Sequence, residues 1–495
     1  MLMGISLAFA KGDTLVIAVP ADAKTLDPHA TPESSSHNVN RQIYESLVAY
    51  NEKQEIVPLL AERWEVLENG MAHKFFLKKG VKFHNGEELT ADDVVFTFKR
   101  ATSPEGGAVH PFSLYIDTPK LQAIDKYTVI VYTKQPMGAS FLASMNHPWS
   151  SILNKKAVEA AGKDYGMNPV GTGRFKYESW AKGDRITLVR HEDYHGSKAP
   201  LKKMVLRVVI ESTSRTIELE SGAVDLVIDP PAVDIKRIEA GKSTMVKILP
   251  GQNLFYLGMD ITKAPYSDPL VRQALNYSID RPGIVAAVFK GYAEPANGPM
   301  PSSVKYNKYK ETPQIPRDLA KAKALLKEAG YPNGFKGVII APDRSELINC
   351  ATVAQANFRE IGVEMEIKIY EWGTFIDVIR QPGHEPFIQF WWGGAPALDP
   401  FFFMTPQYHS AATGQTNRSF VRDKAIDALL DKGAALPDGQ EREAVYHELW
   451  DKVLALMPWV YLATARTAFA MVNDLEGINF TPSAVNYYGT AYFKK

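Results

Sequence analysis

The sequence predicts an α/β fold, with two α/β lobes and a β-rich insertion near the start. Three observations carry this. Residues 203–210 (KMVLRVVI) are apolar on both sides of a strand, the pattern of a central strand in a covered sheet. Residues 337–341 and 363–370 read as strands around a helix at about 346–361, a βαβ-like unit. From about 63 to 83, strand signals alternate with turns and show no helical period.

In chain order, residues 13–20 (DTLVIAVP) predict a strand. Residues 37–50 predict a helix with Val39, Ile43, Leu47 and Val48 on one face. Thr90 as N-cap and Asp93 at N3 start another helix, which gives the Asp92-Asp93 pair a capping role rather than acid–base chemistry. Residues 121–134 and 173–190 predict strands. Asp268 as cap and Pro269 at N1 open a helix whose inner face is Val271, Ala274, Leu275 and Ser278. Asp318 opens the next, with Leu319, Ala322, Leu325 and Leu326 inward and Gly330 at its end. A last long helix spans 440–457 and stops at Pro458.

The chain of 495 residues is long enough for two large domains or about three ordinary ones. Lys+Arg and Asp+Glu are both 56, so no basic field points to nucleic acid or acidic membranes. No apolar run is long enough to span a bilayer. Met1 to Ala10 (MLMGISLAFA) resemble the end of a secretory signal with an A-x-A site, although the basic n-region is missing. Cys350 is the single cysteine, so no disulfide forms, no cysteine stands at the cleavage point for a lipid, and a buried, inert thiol is expected. The expectation is an exported periplasmic protein without a lipid anchor.

His191, Glu192 and His195 spell H-E-x-x-H, the zinc-metallohydrolase string. That chemistry needs a helix, which places both histidines on one face. Here an alternating strand precedes the string, and Gly196-Ser197-Lys198-Ala199-Pro200 follows it. Histidines four apart in an extended chain stand about 13 Å apart, too far for one ion. Gly171-Thr172-Gly173 lacks the Lys-Ser/Thr of a phosphate loop and reads as a domain-crossing turn. Ser34-Ser35-Ser36 has no nucleophile-elbow context.

Several stretches occur together in one order: Leu26-Asp27-Pro28, LKKGVKFHNGEELTADDV at 77–94, NPVGTG at 168–173, SGAVD at 221–225, VRQALNYSIDR at 271–281 and AGYPNGF at 329–335. In that order they resemble the family-5 extracellular solute-binding proteins of ABC transporters: the dipeptide-, oligopeptide-, glutathione- and nickel-binding proteins. The resemblance runs from about residue 14 to the C-terminus. It places 190–196 at a polar turn with two histidines at polar positions.

The resemblance implies a bilobal periplasmic-binding-protein fold, type II, cluster C, with an extra inserted β-rich domain. Residues 1–10 would be the tail of a signal peptide. Lobe I would comprise 11–42, 169–259 and 466–495, with domain II inserted at 43–168 and lobe II at 260–465. The lobes would close on a ligand by hinge motion. The implied protein is a monomeric, periplasmic, non-enzymatic receptor without cofactor or resident metal. It would carry a peptide or peptide-like solute to membrane permease subunits; a nickel-type metal chelate or another carboxylated metabolite is the alternative cargo.

The same resemblance supplies site residues. Arg344 matches the arginine that takes a ligand carboxylate. The stretch WWGGAPALDP at 391–400 matches the segment that carries the ammonium-binding Asp, with Asp399-Pro400 as its second element. At the position of that Asp stands Ala395, with one residue inserted nearby, as in relatives that do not grip a free α-amine. Trp391 and Trp392 would form a flat wall beside it, and Gly393 would be a further ligand-binding position. Ser35 and Ser36 belong to a loop that lines the cleft in the family, and His409 would face a metal chelate.

Overall fold

A computed structural model describes residues 12–51, 55–104, 115–391 and 398–494. It divides into two compact units. Unit 1 comprises residues up to Met137, Phe141–Leu249 and Thr467 onward; unit 2 comprises Gly138–Ser140 and Pro250–Arg466. The expected signal-peptide tail lies outside the described residues.

In unit 1 the strand Lys203–Val208 has Thr14–Val19 parallel on one side and Arg185–Arg190 antiparallel on the other. Its apolar character follows from that central place, with Met204, Val205 and Leu206 all buried. Leu226–Ile228 lies parallel to Thr14–Val19 on its other side. Phe175–Ala181 pairs with Arg185–Arg190. A separate four-stranded antiparallel sheet is built from Ala61–Leu67, Ala72–Leu77, Thr128–Tyr132 and Gln122–Asp125. Helix Ala91–Ala101 packs on it and starts at the expected capping box, Thr90 N donating to Asp93 Oδ2 at 3.0 Å.

In unit 2 the βαβ unit is Lys336–Pro342, Ser345–Arg359 and Glu364–Tyr370, with the two strands parallel from Lys336↔Glu364 to Pro342↔Tyr370. Phe387–Trp391 lies on the other side of the first strand and pairs antiparallel with Thr244–Gly258. The expected caps are in place. Asp268 accepts from Leu270 N at 2.8 Å and Asp318 from Lys321 N at 2.9 Å. Val271, Ala274, Leu275 and Ser278 are buried as expected. Cys350 is buried within the apolar cluster over this sheet, and burial pushes its thiol up to about 12, so it stays protonated at neutral pH.

The helix expected over 37–50 is corrected. It runs from Ser34 to Ile43, and Val48–Tyr50 is a short strand. Apolar spacing carried the prediction past the true end, which is set by a contact distant in sequence. Gly171-Thr172-Gly173 docks against the last helical carbonyls, Gly173 N donating to Ile43 O at 2.9 Å. A Cβ on Gly171 would stand 2.0 Å from Ile43 O, and one on Gly173 would stand 2.5 Å from Gln42 O. The glycines are there for close approach of backbone to backbone. Gly171→Ala should therefore lower stability by about 1–3 kcal/mol, as overpacking does, read as a reduced denaturant midpoint with the slope unchanged. An unaltered midpoint would mean that the turn relaxes freely.

Candidate functional site

In parallel sheets, ligand groups gather at the carboxyl ends of strands, where loops and helix N-termini meet. At that edge of unit 2, Pro342 and Tyr370 are register partners, and Asp343 N donates to Tyr370 O at 2.9 Å. Two residues beyond each strand end stand Arg344 and Trp372. Arg344 is exposed, and its Cζ lies 4.2 Å from the centre of the Trp372 ring. Trp372 is half-buried and stacks on the buried Phe375, with centroids 5.8 Å apart and planes at 28°. The nearest sequence acid on this side, Glu371, is occupied as a helix cap, its carboxylate accepting from Gly373 N and Thr374 N. Among the described residues Arg344 has no carboxylate partner, and neither Asp343 nor Glu346 pairs with it. The result is a guanidinium lying over an indole, with no carboxylate among the described residues to satisfy its N–H groups.

Trp372 was missed by the sequence reading. The signal was available: in a parallel pair both strand ends fall on one edge, so residues equally far past each end become neighbours.

The remaining candidates of unit 2 are dispersed. Trp391 ends the strand Phe387–Trp391, opposite Leu254, and packs half-buried against the aromatic core. Trp392, Gly393 and Ala395 lie outside the described residues. Asp399 departs from the expectation of a ligand group. Its side chain is 4% exposed and that of Arg442 is 0% exposed, and Arg442 Nη1 and Nη2 donate to its two oxygens at 2.7 and 2.8 Å. Asp399 Oδ1 also caps helix Pro400–Tyr408, accepting from Phe401 N at 3.0 Å. Both oxygens are thus engaged inside the protein. His409 likewise does local work: its Nδ1 accepts from Ala411 N at 3.0 Å and its Nε2 lies 3.3 Å from Asp431 Oδ1.

In unit 1 the serine run is the first turn of a helix rather than a loop. Ser36 is fully buried and its Oγ accepts from Lys24 N at 2.9 Å and Thr25 N at 3.4 Å, whereas Ser35 is half-buried. The correction has the same origin as the helix end: the Lys24-Thr25 segment supplies donors that favour the hydroxyl inside. Shortly past the carboxyl ends of Lys203–Val208 and Leu226–Ile228, Ile210 and Val233 are 78% and 74% exposed. They are large aliphatic groups at the edge where ligands meet a parallel sheet.

The H-E-x-x-H string sits past a strand end, as its alternation predicted. Its two histidines both have polar partners, and His191 is buried while His195 is half-buried. His191 is buried against His84, ring centroids 4.8 Å apart, with Nδ1 3.2 Å from Gly173 O. Burial holds both rings below the ordinary histidine range, His84 at about 3. His195 turns elsewhere, its Nε2 2.8 Å from Glu45 Oε2. The same buried carboxylate accepts from Tyr194 OH at 2.6 Å and Thr172 Oγ1 at 3.0 Å. Glu192 is exposed and pairs with Arg190 and Lys198. The three residues of the string face three different sets of partners and share no site.

Residues 55–415 match the family described as bacterial extracellular solute-binding proteins, family 5 Middle. The glutathione-binding protein GsiB of Pectobacterium atrosepticum is 28% identical over 95% of this chain and 92% of its own. The heme-binding protein A of Haemophilus influenzae is 30% identical over 92% of this chain and 87% of its own. Among solved structures, HbpA2 of Haemophilus parasuis superposes with a TM-score of 0.89 at 27% identity, covering 98% of this chain and 100% of that one. The periplasmic binding protein DppA of Helicobacter pylori, in complex with the peptide STSA, gives 0.79 at 29% identity and 98% coverage of both. Among the described residues no helix is long and apolar enough to cross a membrane. The chain belongs to the family-5 bacterial extracellular solute-binding proteins of ABC transporters.

Proposed function

We propose that this chain captures a small peptide-like solute bearing a free carboxylate and delivers it, outside the cytoplasm, to the permease subunits of an ABC importer. The observation that carries the cargo class is Arg344, a guanidinium at a strand carboxyl end with no acid among the described residues to satisfy it. Relatives named for glutathione and heme, and a neighbour solved with a peptide, all take carboxylate-bearing ligands. The exposed Ile210 and Val233 suit a cargo with an apolar part. The nickel-type alternative loses support because His409 is engaged by Ala411 N and Asp431.

The cargo's other end follows from Ala395. If it stands where peptide binders keep their ammonium partner, that position carries no charge, and Asp399 is engaged by Arg442. A buried ammonium without a partner loses hydration for nothing comparable. Solutes whose α-amine is blocked, distant or absent should then bind best. Mass spectrometry of whatever copurifies identifies the native cargo. A thermal-shift screen of glutathione, free dipeptides and their N-acetylated forms tests the class, since a ligand at one hundred times its Kd adds about 2.7 kcal/mol. Glutathione and acetylated peptides should raise the Tm more than free dipeptides do, and every peptide should be recovered uncleaved after incubation with zinc. Strong stabilisation by free dipeptides alone would refute the reading of Ala395. Zinc-dependent cleavage lost in Glu192→Gln would restore the hydrolase.

A further inference from the structure

We infer that Trp372 is a positioning residue for carboxylate capture, holding the Arg344 guanidinium by one face so that its N–H edge is ready for the ligand. This deepens the proposed carboxylate-binding role of Arg344 and rests on it.

An exposed arginine ordinarily samples many rotamers, and ordering them on binding lowers affinity. Arg344 differs in three respects. Its Cζ is 4.2 Å from the indole centre, within the range of cation–π attraction. The indole is itself fixed, stacked on Phe375, which is fully buried and in edge contact with Phe387 at 6.3 Å. The backbone on both sides is fixed too. Asp343 N is bonded to Tyr370 O and Arg344 N to Pro342 O, while Glu371 anchors the start of Trp372–Ile379. Two strand ends, one cap and one aromatic stack therefore converge on a guanidinium that makes no ion pair with the described residues. A guanidinium held over an indole still has N–H donors to offer, and a planar carboxylate can take two of them in parallel hydrogen bonds. Lysine in the same place would have neither the flat face nor the fork.

The test uses the full chain labelled with 15N-arginine, with glutathione as the probe. The Arg344 Nε–H signal is assigned by its loss in Arg344→Lys. Before ligand is added, that signal should move in Trp372→Ala, and less in Trp372→Phe, because the ring current above it is lost or reduced. Glutathione affinity by calorimetry should fall about 3- to 30-fold in Trp372→Ala and recover most of that in Trp372→Phe. In an Arg344→Ala background, Trp372→Ala should have no further effect, because it acts through the arginine. An Arg344 signal unmoved by Trp372→Ala overturns the proposal, as does an equal loss of affinity with and without the arginine. If glutathione fails to bind wild type, glutathione is not the cargo, and the ligand-free spectra still decide whether Trp372 holds Arg344. Should Trp372→Ala not fold, the same comparisons are made with Trp372→Phe and Trp372→Leu.

Discussion

Arg442→Met should lower the unfolding free energy of unit 2 by about 3–5 kcal/mol, the cost of leaving one member of a buried ion pair alone. The Arg442 side chain has no solvent exposure, and each of its three nitrogens donates to a buried acceptor. Nη1 and Nη2 hold the two oxygens of Asp399, Nη2 also reaches Ser140 Oγ at 2.7 Å, and Nε reaches Gly433 O at 2.8 Å. Burial disfavours the charged guanidinium, and the Asp399 carboxylate more than offsets that cost and holds it protonated. Methionine fills the volume but strands the carboxylate at the N-cap of Pro400–Tyr408. Asp399→Asn should cost a similar amount by stranding the cation. Arg442→Met combined with Asp399→Asn should cost much less than the sum of the two single changes, because no buried charge remains. Chemical denaturation of the three variants gives these terms. An Asp399→Asn protein of wild-type stability with weakened cargo binding would instead make Asp399 a ligand group, as the Asp-Pro resemblance suggested.

That pair shows what a sequence does and does not disclose. Helix starts are local chemistry, and Thr90, Asp268 and Asp318 could be read from a few neighbouring letters because the cap and the amides it serves lie within three residues. The central strand at 203–208 was legible because burial on both faces leaves no polar alternation. Contacts between distant segments leave no such mark. Asp399 looked like an available acid until Arg442 and Ser140 were found around it. The helix at Ser34–Ile43 looked longer because nothing near it announces that Gly173 will claim its last carbonyl. The polar turn at 190–196 does not name the partners of His191 and His195, because Gly173 and Glu45 lie far away in the chain. At the candidate site, Arg344 was legible through the family pattern, whereas Trp372 needed the register of two parallel strands.

The largest expected change in binding belongs to Arg344→Ala. A charge-assisted, two-pronged hydrogen bond to a carboxylate is about twice as strong as a neutral one. Truncating one member of such a pair costs about 2–5 kcal/mol once the site excludes water, because the other charge stays without a partner. That range corresponds to a loss of roughly 30- to several-thousand-fold in affinity. Arg344→Lys should recover only part, since an ammonium restores the charge without the planar fork that lies over Trp372. Stability should hardly move in either variant: the side chain is exposed and anchors no carboxylate among the described residues. This separation of effects distinguishes it from Arg442, whose loss should lower stability first. Calorimetry with the copurifying cargo, or with glutathione, measures the affinity, and the same samples give the unfolding midpoints. Unchanged affinity in a folded Arg344→Ala protein would assign the cargo carboxylate to another cation. A fall in stability that matches the fall in affinity would make Arg344 a structural residue of the strand end.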